Sequence, residues 1–260
     1  MSETNLIQGD TTSGESKQQE PHHLRRVLII WAVLSILGIV AVVGLTKYAI
    51  PPSASDVGVS NDFTLLVFTA LAVPVAMFVF VFLAYSMLVF RVKERPTEDG
   101  AFLKPRPMLQ VGWMGITGAL CLFLLIWGLF GFYQNTVAAS ANPLIVQVTG
   151  QQWLWTFYYP QYKVSSHGQE LELPVNRPVQ FSVSSKDVLH GFSIRSLGIR
   201  IDANPGQITT IPALTPNQIG DYSVACVELC GLYHSYMWSA VHVVSESSFN
   251  SWITNQGGNP

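Results

Sequence analysis

The sequence predicts a membrane-anchored protein in which N-terminal transmembrane α-helices precede an all-β sandwich. Hydrophobic residues make up 49% of the 260-residue chain and charged residues only 12%, which is well below the usual charged fraction of soluble domains. Three long uncharged runs lie within the first 133 residues. After residue 140 the pattern changes to short apolar runs, several of them alternating and separated by Gly, Pro and Asn, which is typical of sandwiches.

The three uncharged runs are each long enough to cross a bilayer as a helix. They cover residues 27–46, 63–90 and 107–133. The polar residues 1–26 predict a disordered cytoplasmic arm. Residues 27–50 predict a first transmembrane helix or signal anchor, with a cleaved signal peptide as the alternative. Residues 63–133 predict a transmembrane helical hairpin whose basic loop, 91–106, lies on the cytoplasmic side.

The β part is predicted to occupy residues 140–245 on the extracytoplasmic side, with a C-terminal tail over residues 246–260. Predicted strands cover residues 144–148, 153–157, 171–173, 179–183, 222–225 and 239–244. Residues 248–254 of the tail are expected to form a short helix. The net charge of −2 and the absence of a basic cluster in the sequence exclude nucleic acid as an expected partner.

Metal-ligating side chains are concentrated in residues 226–237. This segment contains Cys226, Glu228, Cys230, His234 and Met237, and His190 lies 36 positions before Cys226. Thiolate, thioether and imidazole groups together suit copper, whereas magnesium prefers oxygen ligands alone.

Three other interpretations stay open at this point. A disulfide between Cys226 and Cys230 and a zinc site made from the two cysteines with His190 and His234 both leave Met237 without a role. The spacing also fits a stripe on one face of a helix, although Gly231 favours a loop.

Three motifs carry a resemblance to a known family. The run C-x-E-x-C-x3-H-x2-M, with the upstream D-V-x-H that ends at His190, resembles the copper-binding motif of subunit II of haem–copper cytochrome c oxidases. The segment 150–155, G-Q-Q-W-L-W, is similar to the family's G-H-Q-W-x-W. The segment 196–206, S-L-G-I-R-I-D-A-N-P-G, is similar to its S-L-G-x-K-x-D-x-x-P-G. The resemblance covers residues 60–245.

The resemblance implies a cupredoxin-like Greek-key sandwich that holds the binuclear copper centre called CuA. Cys226 and Cys230 would bridge two copper ions, and His190 and His234 would each give one imidazole. Met237 would supply a weak thioether ligand. The protein's influence on the potential would then lie in these weak ligands and in the surrounding hydrogen bonds.

Two further residues receive roles from the resemblance. The backbone carbonyl of Glu228 would be a weak copper ligand, and its carboxylate would reach a magnesium ion shared with the catalytic haem-containing subunit I. Trp153 would be the place where electrons enter from a c-type cytochrome or another small electron carrier. Trp155, two positions along, is expected in the sandwich core.

The sequence departs from the family pattern at three positions. Gln151 replaces the His of G-H-Q-W, which is expected to be harmless. Tyr158 replaces a Glu, which weakens an acidic docking surface. Gln110 stands where many relatives have an acid that feeds a proton channel, so the proton-input role is not expected of this chain.

The leading functional hypothesis is the electron-accepting copper subunit of a terminal oxidase in the cell membrane of a prokaryote. The alternative is the copper subunit of a nitric oxide reductase, which would share the same domain. A membrane-tethered copper chaperone is a third hypothesis, but a closed six-ligand site is unsuited to releasing copper. A quinol oxidase subunit is disfavoured because that relative typically lacks the copper ligands present here.

Overall fold

The computed structural model describes residues 21–91, 106–137, 142–166 and 170–260. Within these residues, three helices are long and apolar enough to cross a membrane: α1 (Pro21–Ala49), α2 (Asp56–Val89) and α3 (Pro107–Val137). The described chain forms two compact units. The first contains 21–41 and 70–91, and the second contains the other described residues.

The helices are longer than the uncharged runs predicted. Residues 21–26 are already helical, so the predicted disordered arm 1–26 is wrong for its last six residues; residues 1–20 lie outside the described part. Pro21 suits the first turn of α1, where a backbone N–H has no intrahelical acceptor. Helix α2 begins at Asp56 instead of 63 because Ser55 caps it, its hydroxyl accepting from the Gly58 N–H at 2.9 Å.

In the first unit, α1 and α2 pack closely through one glycine and one tryptophan. A Cβ on Gly38 would lie 2.7 Å from Val73 Cγ1, so only glycine fits this contact. Trp31 Nε1 donates to the carbonyl oxygen of Pro74 at 2.8 Å. Pro74 lies inside α2, so this bond joins α1 to the proline-containing turn of α2.

Ten strands follow α3 in the described residues: β1 (Leu144–Gln151), β2 (Leu154–Tyr159), β3 (Val164–Ser165), β4 (Leu171–Pro174), β5 (Val179–Ser185), β6 (His190–Ile194), β7 (Ile199–Ala203), β8 (Thr209–Thr210), β9 (Gly220–Cys226) and β10 (Trp238–Val244). They form two sheets, with the orders β3-β2-β1-β5-β8 and β4-β10-β9-β6-β7. The predicted β-sandwich is therefore confirmed. Strands β3, β6, β7 and β8 were not predicted: β3 and β8 have only two residues each, and Gly191 interrupts the apolar pattern of β6.

The core lies between the inward faces of the two sheets. Strand β5 alternates strictly between buried and half-buried residues, as expected for a strand with one face inward. Trp155 and Phe181 are fully buried and pack with their rings against Phe192 of the other sheet, at centroid distances of 5.2 and 5.5 Å. The prediction that Trp155 belongs to the core is confirmed.

The C-terminal segment is part of the domain. Residues Glu246–Asn255 form α4, which begins at the capping residue Ser245. Phe249 and Ile253 on one face of α4 are fully buried, and Trp252 packs on Tyr159 at 5.3 Å between ring centroids. The prediction of a tail over 246–260 that follows a domain ending at 245 is therefore wrong, while the short helix is present. The apolar face of α4 therefore packs this segment against the sandwich.

The segment between α1 and α2 is fixed to the sandwich within the second unit. Ala54 and Ser55 are fully buried. The Ala54 N–H donates to the Ser196 carbonyl at 2.6 Å, and the Ser55 hydroxyl donates to the Leu197 carbonyl at 2.8 Å. Asp56 accepts from the Thr215 N–H at 2.8 Å. Residues 54–56 thus form a strap across the domain.

Candidate metal centre

The second sheet brings the two distant halves of the predicted ligand set together. His190 is the first residue of β6 and Cys226 is the last residue of β9. These strands pair antiparallel with Phe192 opposite Cys226. The following loop returns at Met237, where the Cys226 N–H donates to the Met237 carbonyl at 2.9 Å. The loop that carries Cys230 and His234 is therefore closed at its base.

The sulfur and nitrogen atoms of the predicted ligands converge. The two cysteine Sγ atoms are 3.7 Å apart. His190 Nδ1 lies 3.9 Å from Cys226 Sγ, and His234 Nδ1 lies 3.6 Å from Cys230 Sγ. Met237 Sδ is 3.8 Å from Cys230 Sγ. Each cysteine therefore has one imidazole beside it, and the thioether lies on the Cys230 side.

The group is largely shielded from solvent. His190 is fully buried, Cys226, Cys230 and Met237 are at most 7% exposed, and His234 is half-buried. Burial, followed by the neighbouring Cys226 thiol, raises the pKa of Cys230 to about 12. A thiolate at this position therefore requires a bound cation to compensate its charge, as metal sites that form with loss of protons do.

Asp187 fixes the orientation of His190. Its Oδ1 lies 2.8 Å from His190 Nε2, and its Oδ2 accepts from the Gln152 backbone N–H at 2.7 Å. Burial raises the pKa of Asp187, but hydrogen bonds from Gln152, His190 and Val188 outweigh it and hold the pKa at about 2. A carboxylate on Nε2 leaves the Nδ1 lone pair facing Cys226, which is how metal-ligating histidines are commonly held.

Trp153 lies in the turn between β1 and β2, beside the 226–237 loop. Its ring is half-buried and packs edge-on against Tyr233 at 4.8 Å between centroids. Gly231 has a φ of +119°, and a Cβ there would lie 3.4 Å from Trp153 Cζ2 and Nε1. The loop backbone after Cys230 thus runs directly along the indole.

Glu228 points its two oxygen-bearing groups in different directions. Its backbone carbonyl oxygen accepts from Cys226 Sγ at 3.2 Å. Its carboxylate makes a salt bridge with Arg200 of β7. The sequence prediction assigned this carboxylate to magnesium and did not identify Arg200 as its partner, although Arg200 lies inside the motif at 196–206.

Two alternatives for the cysteines are wrong. Cys226 and Cys230 are free thiols, and the loop contains only a single 3₁₀ turn, His234–Tyr236, in place of a helical stripe. His190, Cys226 and Cys230 have donor atoms within 4.8 Å of one another, which by itself also suits zinc. The nearby thioether and carbonyl oxygen make the complete set better suited to copper, which accepts weak axial ligands of this kind.

Comparisons with known proteins agree on one family. Residues 163–244 match the family model of the cytochrome c oxidase subunit II periplasmic domain. The chain is 39% identical over 116 residues to cytochrome c oxidase subunit 2 of Synechocystis sp., covering 44% of this chain and 33% of that protein. It is 26% identical over 216 residues to a probable cytochrome c oxidase subunit 2 of Rickettsia conorii, covering 75% of this chain and 66% of that protein.

A solved structure shows the same likeness. The periplasmic domain of subunit II of cytochrome oxidase from Bradyrhizobium japonicum is 28% identical, covers 46% of this chain and 97% of that one, and has a TM-score of 0.42. The chain spans between a third and two thirds of the length of the two curated relatives described above. Residues 163–244 are thus similar to the periplasmic domain of cytochrome c oxidase subunit II.

Proposed function

We propose that the chain is the electron-accepting copper subunit of a terminal haem–copper oxidase. It takes electrons from a c-type cytochrome or a similar small carrier and passes them to haem in the catalytic subunit I. The observation that carries the proposal is the convergence of two thiols, two imidazoles, a thioether and a backbone carbonyl at one buried point.

The proposed ligand set holds two copper ions, which supply a one-electron redox centre when bound. The residues that would hold these ions are Cys226, Cys230, His190, His234, Met237 and, through its backbone carbonyl, Glu228. Every donor comes from this chain, so the site offers no open position to a substrate, unlike catalytic metal sites. Such a site relays electrons and leaves bond chemistry to a partner.

The competing functions are less well supported. The curated relatives described above are named as cytochrome c oxidase subunits, so the nitric oxide reductase alternative is not favoured. The closed loop with its Cys226–Met237 backbone bond argues against a chaperone, because such a protein must release copper readily.

The Glu228 carboxylate is proposed as one ligand of a magnesium ion shared with subunit I. Magnesium usually takes one or two carboxylates together with water. The salt bridge to Arg200 engages Oε1, so Oε2 is the oxygen that this role requires. Arg200 then orients the carboxylate and balances its charge until the partner is bound.

The surface around Trp153 is proposed as the docking site of the electron donor. Leu232 and Tyr236 on the neighbouring 226–237 loop are 81% and 72% exposed. Residues 140–260 contain seven acidic and five basic residues, and one of the acids, Glu228, is assigned to the boundary with subunit I. A nearly neutral surface generates little field for steering a charged partner, so apolar contact is expected to dominate.

The three helices are proposed to span the cell membrane of a prokaryote, with the sandwich on the extracytoplasmic side. The segment 91–106 was predicted as a loop, and its residues 92–105 lie outside the described part of the chain; it carries Arg91, Lys93, Arg95, Lys104 and Arg106. Such clusters of Lys and Arg favour the cytoplasmic side, which leaves α3 to lead outward to the sandwich.

The deciding experiment is metal and haem analysis of the complex purified from native membranes through this chain. We expect about two copper ions per chain from the soft-ligand set, together with haem from a co-purifying subunit. Cys226→Ser and Cys230→Ser should lose copper. Cys121→Ser, which changes the exposed cysteine of α3, should retain it. One copper per chain, or zinc retained after copper loading, would contradict the proposal.

A further inference from the structure

Gln152 makes hydrogen bonds to both parts of the chain that carry the proposed ligands. Its backbone N–H donates to Asp187 Oδ2 at 2.7 Å, and the other oxygen of Asp187 lies 2.8 Å from His190 Nε2. Its side-chain Nε2 donates to the Cys230 carbonyl oxygen at 2.8 Å. One residue therefore connects the His190 segment to the cysteine loop.

The indole of the next residue, Trp153, contacts the same part of the cysteine loop. Within the described part of the chain, Trp153 Nε1 is buried and has no hydrogen-bond partner. The ring is held instead by Tyr233 and by the backbone at Gly231. A Cβ on Gly231 would lie 3.0 Å from Gln152 Nε2 as well as 3.4 Å from the indole. The Cys230–Gly231 peptide is thus in close contact with both the amide and the ring.

We propose that Gln152 is a positioning residue that holds the Trp153 ring against the Cys230–Gly231 peptide and so sets the electronic contact between the ring and the metal centre. The proposal rests on the assignment of Trp153 as the place where electrons enter. In the step, the donor loses one electron and the copper centre gains it, while the Gln152 amide exchanges no proton.

Gln152 can position the Trp153 ring because it anchors the β1–β2 turn at two points, Asp187 and Cys230. A backbone bond and a side-chain bond on the same residue restrict the rotation of the next residue along the chain. The residues of a functional site must be held within about 0.5 Å of their working geometry by packing and by supporting hydrogen bonds. Removing the amide frees the turn on the side of the cysteine loop while Asp187 continues to orient His190.

The test compares Gln152→Ala and Gln152→Glu with the matched control Gln151→Ala, which alters the exposed neighbouring glutamine. The full-length, copper-loaded chain is labelled with 5-fluorotryptophan, fully reduced, and measured by ¹⁹F NMR, with Trp153→Phe to assign the signal. We expect the Trp153 signal to shift or split in both Gln152 variants and to stay in place in the control. Copper content and the Trp155 signal should not change.

A kinetic measurement on the intact complex completes the test. Gln152→Ala should lower the maximal electron-transfer rate several-fold while the donor's half-saturation concentration stays the same. An unmoved Trp153 signal, an unchanged maximal rate, or loss of copper from Gln152→Ala would each overturn the proposal. If Trp153→Ala itself leaves electron transfer intact, the assigned place of electron entry fails, whereas the NMR result separately decides whether Gln152 positions the ring.

Discussion

At the residue scale, Met237 combines two functions that belong to different atoms. Its carbonyl oxygen closes the loop by accepting from the Cys226 N–H at 2.9 Å, while its Sδ faces Cys230 Sγ at 3.8 Å. The first contact is made by the backbone and survives replacement of the side chain. A substitution at this position therefore separates the fold of the loop from the donor that the side chain offers.

We expect Met237→Leu to keep both copper ions and to change the reduction potential. A thioether is a weak axial ligand, so its loss tunes a copper site without dismantling it. Leucine has a similar volume and keeps the packing of a side chain that is 1% exposed. Metal analysis and a redox titration check this, and complete copper loss would contradict the assignment of Met237.

Gly231 gives a second prediction at this scale. Its φ of +119° disfavours any side chain, and a Cβ would also approach Gln152 Nε2 to 3.0 Å. We expect Gly231→Ala to lower the free energy of unfolding by about 1–3 kcal/mol, as strained backbone positions do. Gly206→Ala is the control, since Gly206 also has positive φ (+72°) but has no atom within 4 Å of a Cβ. If denaturant unfolding shows an equal loss of unfolding free energy in both variants, crowding around the Gly231 Cβ contributes nothing.

Some contacts of single residues can be predicted from the sequence, and others cannot. The short spacing of Cys226, Cys230, His234 and Met237 predicted that their side chains lie together, and their donor atoms do converge in one loop. The bonds from Gln152 to Cys230 and from Arg200 to Glu228 cross 78 and 28 positions. Sequence spacing carries no information about such pairs, since the first forms between the two sheets and the second between β7 and the loop after β9 of one sheet.

At the scale of elements, three neighbouring strands present titratable groups on one outer surface. His242 of β10 pairs with Asp221 of β9 on one side and with Glu172 of β4 on the other. Its Nδ1 lies 2.6 Å from Asp221 Oδ1. This hydrogen bond raises the pKa of His242 against the opposing effect of burial, and the charges of Glu172, Asp221 and Glu170 raise it further.

The sign of the resulting pH dependence follows from that shift. A histidine whose pKa is raised by folding stabilises the protein below its unfolded pKa of about 6.5, and the contribution disappears as pH rises through the folded pKa. We expect the melting temperature of His242→Gln to fall below wild type in mild acid and to converge with it in alkali. His22→Gln in α1 is the control. If the difference in melting temperature between His242→Gln and wild type grew with pH, it would contradict the proposed effect of the His242–Asp221 pair.

Elements were predicted best where one physical signal dominated. Long uncharged runs identified the three membrane helices, but α1 and α2 begin before those runs, α2 because Ser55 caps it. Strands with alternating burial, such as β5, were also found. Strand β6 was missed because Gly191 is inserted in its short pattern, and the docking of α4 depends on Tyr159, which is about 90 residues earlier in the chain.

At the scale of the whole molecule, the distribution of charge sets the orientation in the membrane. The 91–106 loop has five basic residues against Glu94, Glu98 and Asp99, and the count of Lys and Arg determines sidedness. We expect an N-terminus inside and a C-terminus outside. Protease treatment of oriented vesicles checks this: cleavage of the 140–260 domain from the cytoplasmic side would refute the orientation.

The charge balance of residues 140–260 also affects how the electron donor binds. With six acids against five bases left after Glu228 is set aside, little charge is available to steer a partner, and salt screens what remains. We expect Trp153→Ala to lower electron transfer strongly with copper content intact, and the bimolecular rate to depend weakly on ionic strength. A steep loss of rate between low and moderate salt, with Trp153→Ala near wild type, would reveal a charged docking surface.

The strap between α1 and α2 has a practical consequence for anyone who wants the sandwich as a water-soluble fragment. A polypeptide started near residue 140 loses Ala54, Ser55 and Asp56, which are bonded to Ser196, Leu197 and Thr215. In such a fragment three carbonyl groups (Ser196, Leu197 and Thr215) and two N–H groups (Thr215 and Asn217) lose these partners. A synthetic peptide spanning residues 50–61, added in trans, can restore these hydrogen bonds.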